Sequence, residues 1–267
     1  MADECRPLEA VDLRGRKALV VGIANEQSLA WAAARWIRRA GADMAITYYN
    51  DKAKPFVAPL AKEVGAALLL PCNVAAPGEL ESAFDAIAKS WGRLDILIHA
   101  IAWARKDDLL GRLADCSSEG FAESMSISCH SFIRMARLAE PLMTEGGSLI
   151  TLSYYGAEKV VDHYNVMGPV KAALEASVRY LAHELGPKNI RVNALSAGPV
   201  KTRAASGIKH FDELLDEAAR KAPLRRLVSA DEVGRTALML AAPISAGITG
   251  ETVHVDAGFH IGGMVLH

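Results

Sequence analysis

Seven short apolar runs, separated by helix-like segments, constrain this chain more than any other feature. They are KALVVGIA (17–24), DMAITYY (43–49), ALLLPCNV (67–74), LDILIHAIA (94–102), GSLITLSY (147–154), IRVNALSAG (190–198) and TVHVDAG (252–258). Strands of a parallel sheet are buried on both faces and read as near-continuous apolar runs. Strand–helix alternation repeated this often predicts an α/β fold, a doubly wound parallel sheet of about seven strands with right-handed crossovers. Between the first two runs lies the Ala-rich stretch SLAWAAARWIRRAGA (28–42), which Ser28 can cap and Gly41 can end. At 267 residues and 51% hydrophobic, the chain can bury one large core. No linker, repeat or low-complexity tract divides it, so one domain over 1–267 is expected.

Composition narrows the partners. A net charge of −1 gives no bulk attraction to nucleic acid or to an acidic membrane surface. Cys5, Cys72, Cys116 and Cys129 are scattered without a CxxC and read as reduced thiols, not as a disulfide frame or a metal site. The polar start MADECRPLEAVDLRGR has no signal-peptide pattern, and no uncharged stretch approaches the roughly 18 residues of a membrane span. A soluble cytoplasmic protein is expected.

In such sheets ligands bind outside the carboxyl ends of the strands. That rule collects residues 22–27, 49–51, 73, 101–104, 153–154 and 198–202 on one rim. After the first run comes GIANEQSLA, where a dinucleotide fold normally shows GxGxxG and this chain keeps only Gly22. A single Gly there reads equally well as a turn residue. Ser28 favours the functional reading, since its hydroxyl and the free N–H groups of a helical first turn can hold a pyrophosphate. The second run ends in TYYNDK, with no Arg to select a 2′-phosphate; Tyr48 and Tyr49 offer stacking and hydroxyl contacts. NADH is the expected cofactor, with Lys52 keeping NADPH open. Asn73 can accept from an adenine amino group or cap a helix beginning near Pro77.

Two Tyr/Lys pairs compete within SYYGAEKVVDHYNVMGPVK (153–171). Tyr155 and Lys159 have the four-residue spacing common in dehydrogenases of this architecture. However, the serine expected about thirteen residues upstream is Leu142, and Gly156 leaves the pair in a loop. Tyr164 and Lys171 are seven apart, close to two helical turns, and a helix-spaced stripe of Leu174, Val178, Leu181 and Leu185 follows. Pro169 suits a first turn, which leaves Tyr164 either inside the helix or in its lead-in. Tyr154 lies ten residues before Tyr164 at a strand end, so all three can face one site.

From GIANEQSLA, TYYND, IHAIA, LSYYGAE, YNVMGPVKAALEASVRYLA, RVNALSAGPV and AASGI, the chain resembles the bacterial enoyl-acyl-carrier-protein reductase I family over residues 13–264. This is a divergent, Rossmann-like branch of the short-chain dehydrogenase/reductases. The resemblance implies NADH-dependent reduction of trans-2-enoyl thioesters in fatty-acid elongation, with hydride delivered to the β-carbon. Tyr164 would hydrogen-bond the enolate oxygen, Lys171 would hold the nicotinamide ribose, and Tyr154 would stand near the entering acyl chain. Cofactor contacts carried over by position are Gly22, Ser28, Leu29, Tyr49, Asn73, Val74, Ile101, Lys171, Val200, Lys201, Thr202, Arg203 and Ala204. Ala104 and Lys209 would meet the substrate side, and a helical lid would span about 199–224. The resemblance further implies acyl carrier protein as partner, a homotetramer and no metal. Two other readings stay open: a reductase for another enoyl (CoA) or carbonyl substrate, and a non-catalytic dinucleotide sensor.

Several positions depart from the family's pattern. Tyr49 stands where many members have Gln, and Asn73 replaces the usual Asp. Asp212 and Glu213 occupy places that are basic in some members and should repel an acidic carrier, unless they simply start a solvated helix; Arg203, Arg225 and Arg226 are then the alternative docking charges. Ala102 and Trp103 replace a Gly and a smaller aromatic, narrowing the floor beside the nicotinamide. Flat aromatic inhibitors that stack there should therefore bind weakly. An inhibition assay checks this, and full potency would contradict it.

Overall fold

The computed structural model describes residues 9–202 and 211–262. The candidate residues Arg203, Ala204 and Lys209 lie outside them. All seven apolar runs contain a strand: β1 (Lys17–Val21), β2 (Asp43–Tyr48), β3 (Leu68–Pro71), β4 (Ile96–His99), β5 (Gly147–Ser153), β6 (Ile190–Ala197) and β7 (Thr252–Val255). Between them lie α1 (Leu29–Arg39), α2 (Lys54–Glu63), α3 (Glu79–Trp91), α4 (Lys106–Leu110), α5 (Ser118–Met125), α6 (Ser131–Ala139), α7 (Met167–Leu185), α8 (Phe211–Lys221) and α9 (Ala230–Ala241). A π-helical turn, Ser126–His130, joins α5 to α6.

The strands form one fully parallel sheet in the order β3-β2-β1-β4-β5-β6-β7. Alternation along each strand feeds two cores. From β1, Ala18 and Val20 enter one, while Leu19 and Val21 enter the other. Trp31 and Ile37 of α1 and Val233 and Leu240 of α9 cover the first face. Leu80, Phe84, Phe132, Leu174 and Val178 of α3, α6 and α7 cover the second. Burial on both faces is why the runs read as continuously apolar rather than alternating.

The Ala-rich face of α1 has a packing reason. A Cβ on Gly234 of α9 would sit 2.6 Å from the Ala32 carbonyl oxygen, so the two helices meet backbone to backbone. Trp36 Nε1 donates to Asp231 Oδ1 at 2.7 Å across the same seam. Ser229 and Glu232 close a capping box at the start of α9.

Most of the apolar runs overshoot their strands. The run 94–102 continues three residues past His99, because Ala100, Ile101 and Ala102 line a cleft rather than pair in the sheet. The seven-residue question is settled by α7, which begins at Met167. Tyr164 therefore precedes the helix. Pro169 fits inside the first turn, where a backbone N–H has no helical acceptor.

Candidate active site

The chain runs outward from β1 through β2 to β3, then returns to β4 on the other side of β1. This reversal splays the loops after β1 and β4 and opens a crevice at the strand ends. A cavity of about 630 Å³ occupies it. Gly22 closes the turn after β1 at φ 107°, and a Cβ there would lie 2.1 Å from the Ala100 carbonyl oxygen. No other residue fits so close an approach in that conformation.

Ser28 occupies the position before α1, but its hydroxyl makes no cap bond to the helix. It accepts from the N–H groups of Ala24 (3.0 Å) and Asn25 (3.1 Å), folding the turn back on itself. The capping expectation is thus corrected: Ser28 shapes the loop. Leu29 and Ala30 of the first helical turn still face the cavity.

Tyr154, Tyr164 and Lys171 all line this cavity. The two tyrosine rings meet edge to face, 4.9 Å between centroids at 67°. Gly156 lies against Tyr164, and a Cβ on it would be 2.4 Å from Tyr164 Cδ1. Burial pushes the Tyr164 phenol far up, and Tyr154 and Glu175 add to the effect. Burial also raises Tyr154, to about 12. Both are hydrogen-bond donors at neutral pH. Lys171 is buried, and its Nζ donates to the Leu152 carbonyl oxygen at 2.7 Å. Desolvation lowers its pKa to about 8, partly offset by Cys129 and Glu175.

Buried polar groups brace this wall. Ser153 Oγ donates to Glu175 Oε1 at 2.5 Å, tying the end of β5 to α7, and burial raises the Glu175 carboxyl. His99 at the end of β4 bonds Thr151 Oγ1 and Ser131 Oγ, both at 2.8 Å. Burial, with the nearby Lys171 charge, lowers the His99 imidazole to about 3, so it stays neutral. Ser128, in the π-helical turn, accepts from Trp103 N–H at 2.8 Å and donates to the Trp103 carbonyl at 3.0 Å. Trp103 thereby forms a tethered part of the cavity lining.

Of the sequence candidates, Gly22, Ser28, Leu29, Ile101, Ala104, Val200 and Thr202 also line the cavity. Tyr49, Asn73, Val74 and Lys201 lie outside its wall. Tyr49 is exposed at 59%. Asn73 Oδ1 accepts from Ala75 N–H in a local turn, while α3 begins two residues past Pro77 with Gly78 before it, so Asn73 is not that helix's cap. Lys201 pairs with Asp212 at 2.8 Å, and Arg226 with Glu232 at 2.7 Å. Tyr155 packs on Phe259 and Lys159 is exposed, so neither member of the four-residue pair lines the cavity. Sequence reading missed Gly156, Ser128, His99 and Glu175 as supports; only the glycine directly after two tyrosines carried a visible signal. Among the described residues, no group of His, Cys, Asp and Glu could hold a metal ion, and no helix is long and apolar enough to cross a membrane.

Comparison with known proteins bears on family and fold. Residues 22–260 match the family model described as enoyl-(acyl carrier protein) reductase. The chain is 49% identical over 252 residues to enoyl-acyl-carrier-protein reductase (NADH) 1 of Rhizobium meliloti, covering 94% of this chain and 93% of that one. It is 49% identical over 257 residues to a Nostoc enoyl-acyl-carrier-protein reductase (NADH), covering 95% and 100%. A crystal structure of the Anaplasma phagocytophilum reductase in complex with NAD superposes with a TM-score of 0.91 at 51% identity, covering 94% and 96%.

Gly156→Ala should force the Tyr164 ring away and cost about 1–3 kcal/mol of stability. Urea unfolding measures this. The cost should shrink in a Tyr164→Ala background, where the ring that the methyl strikes is gone.

Proposed function

The chain belongs to the enoyl-acyl-carrier-protein reductase family, and from that premise we propose that it reduces the double bond of trans-2-enoyl thioesters with NADH in fatty-acid elongation. The observation that carries this reading is the meeting of buried Tyr164 and half-buried Tyr154, ring against ring, with buried Lys171 on one cavity wall.

The wall suits a dinucleotide. Gly22, Ala30, Ala100 and Gly198 contribute small residues to the lining, and α1 points its first turn at the cavity. Ser28, Leu29, Ile101, Val200, Thr202 and Lys171 would hold NADH. When bound, NADH supplies the hydride that adds to the β-carbon.

Hydride addition would break the carbon–carbon π bond and leave its electron pair as negative charge on the thioester oxygen, an enolate that a proton from solvent would quench at the α-carbon. Tyr164 would donate a hydrogen bond to that oxygen, a task for which a neutral phenol suffices at physiological pH, and burial extends that neutrality further into alkaline solution. The groups that shift Tyr164 all act upward. A carbonyl reducer instead needs a tyrosine made more acidic by a neighbouring lysine, so the site favours conjugate reduction over carbonyl reduction. Lys171 contributes positive charge and binds ribose hydroxyls. Tyr154 braces Tyr164 and borders the acyl path.

Acyl carrier protein is the proposed carrier. The Lys201–Asp212 pair removes one cation from the surface such an acidic protein would meet, which keeps a CoA thioester as the second substrate to test. The family resemblance, with the exposed Tyr180 of α7 and Phe121 of α5, supports a homotetramer in the cytoplasm.

NADH oxidation should be followed with a trans-2-enoyl thioester, beside a ketoacyl thioester. Turnover on the enoyl substrate alone is expected, with kcat/KM reduced about 100-fold or more in Tyr164→Phe and Lys171→Ala. NADH binding without turnover on any enoyl thioester would refute the proposal.

The Lys171 charge also sets a pH limit. It is present below about pH 8 and lost as pH rises through that value. The kcat/KM for NADH should therefore be flat at neutral pH and fall on an alkaline limb near 8. A profile level to pH 10 would remove Lys171 charge from the mechanism.

A further inference from the structure

Tyr164 sits between two non-glycine residues in the left-handed region, His163 at φ 62° and Asn165 at φ 34°. Such backbone is unfavourable for L-residues and persists only where the surroundings over-determine it. Asn tolerates it better than most side chains. The Asn165 side chain has a second attachment, because its Nδ2 donates to the Leu109 carbonyl oxygen at 2.7 Å. Leu109 belongs to α4, and both Lys106 and Leu109 line the same cavity as Tyr164. On its other side α4 is anchored by Asp108, which accepts from the Ser117 N–H at 2.8 Å and from Ser117 Oγ at 3.0 Å. The backbone turns directly into α7 after this point, with Met167 N–H bonding the Tyr164 carbonyl at 2.9 Å and Gly168 N–H bonding the Asn165 carbonyl at 3.0 Å.

We propose that Asn165 is a positioning residue that aims Tyr164 by two separable means, its left-handed backbone and its side-chain tether to α4. The backbone reversal sets Tyr164 onto Gly156 and against Tyr154. The tether joins Tyr164 to the α4 wall of the substrate cavity, so that an acyl chain pressing on Leu109 acts on the tyrosine that stabilises the enolate. This rests on the enoyl-reductase reading of the site.

Three forms of the full chain separate the two means. Asn165→Gly keeps a left-handed backbone without strain and loses the tether. Asn165→Ala loses both. Against wild type, Asn165→Gly should lower kcat for the enoyl thioester about fivefold and speed amide exchange across residues 106–111 by a similar factor. Asn165→Ala should lower kcat at least tenfold. The KM for NADH should stay within about twofold in both, which a general loss of structure would not allow.

Unchanged kcat and unchanged 106–111 exchange in Asn165→Gly would overturn the tether. Equal kcat in Asn165→Ala and Asn165→Gly would overturn the backbone contribution. Parallel loss of NADH binding and kcat would overturn positioning in favour of simple support. A wild type that turns over no enoyl thioester would instead refute the proposed function, while the exchange rates still decide the tether.

Discussion

The pairing of β1 with β4 is the constraint on which the rest of the molecule depends. It places strands from two excursions of the chain side by side, Ala18 opposite Ile96 and Val21 opposite His99. Because the chain winds outward in both directions from this seam, the loops leaving it diverge. The cavity is the direct result. The seam also requires Gly22, since the loop after β1 crosses the Ala100 carbonyl at a distance that excludes any side chain.

Burial sets the proton affinities in this cavity. It raises Tyr154 and Tyr164 above the ordinary phenol range, which widens the alkaline span over which both stay neutral donors. The same burial works against Lys171, lowering its pKa from 10.5 to about 8. The unfolded chain holds that proton more tightly, so folding at neutral pH bears a cost of roughly 3 kcal/mol at this residue. The cost is relieved as pH rises from about 8 toward 10.5. In the proposed mechanism, stability and function pull in opposite directions across that window. The hydrogen bond to the Leu152 carbonyl keeps this buried ammonium from being an orphaned donor.

Much of this was legible in the residues. The strands declared themselves because a parallel sheet buries both faces, and Tyr164 with Lys171 stood out against the four-residue pair because Gly156 and Leu142 broke the commoner pattern. The stripe Leu174, Val178, Leu181 and Leu185 is buried against the sheet as its spacing implied. Other readings needed contacts. Ser28 precedes a helix as a capping serine should, yet its hydroxyl turns to the loop behind it. Asn73 accepts from Ala75 two residues on, a local bond that competes with either role the sequence offered. Lys201 lies in the right run, but its partner Asp212 belongs to another element.

What the sequence determined by itself is everything carried by periodicity and local chemistry: seven strands and the helix behind Pro169, with the family resemblance supplying the roles expected of Tyr154, Tyr164 and Lys171. These are properties of neighbours along the chain, where an apolar repeat or a missing N–H has the same consequence in any surroundings. Only the tertiary structure decided which polar groups meet and how far their proton affinities move. Gly156 under Tyr164, Ser128 gripping Trp103 and Asn165 reaching Leu109 join segments from 8 to 56 residues apart. Their effects come from exclusion of water and from close approach, and both arise only once the sheet has brought those segments together.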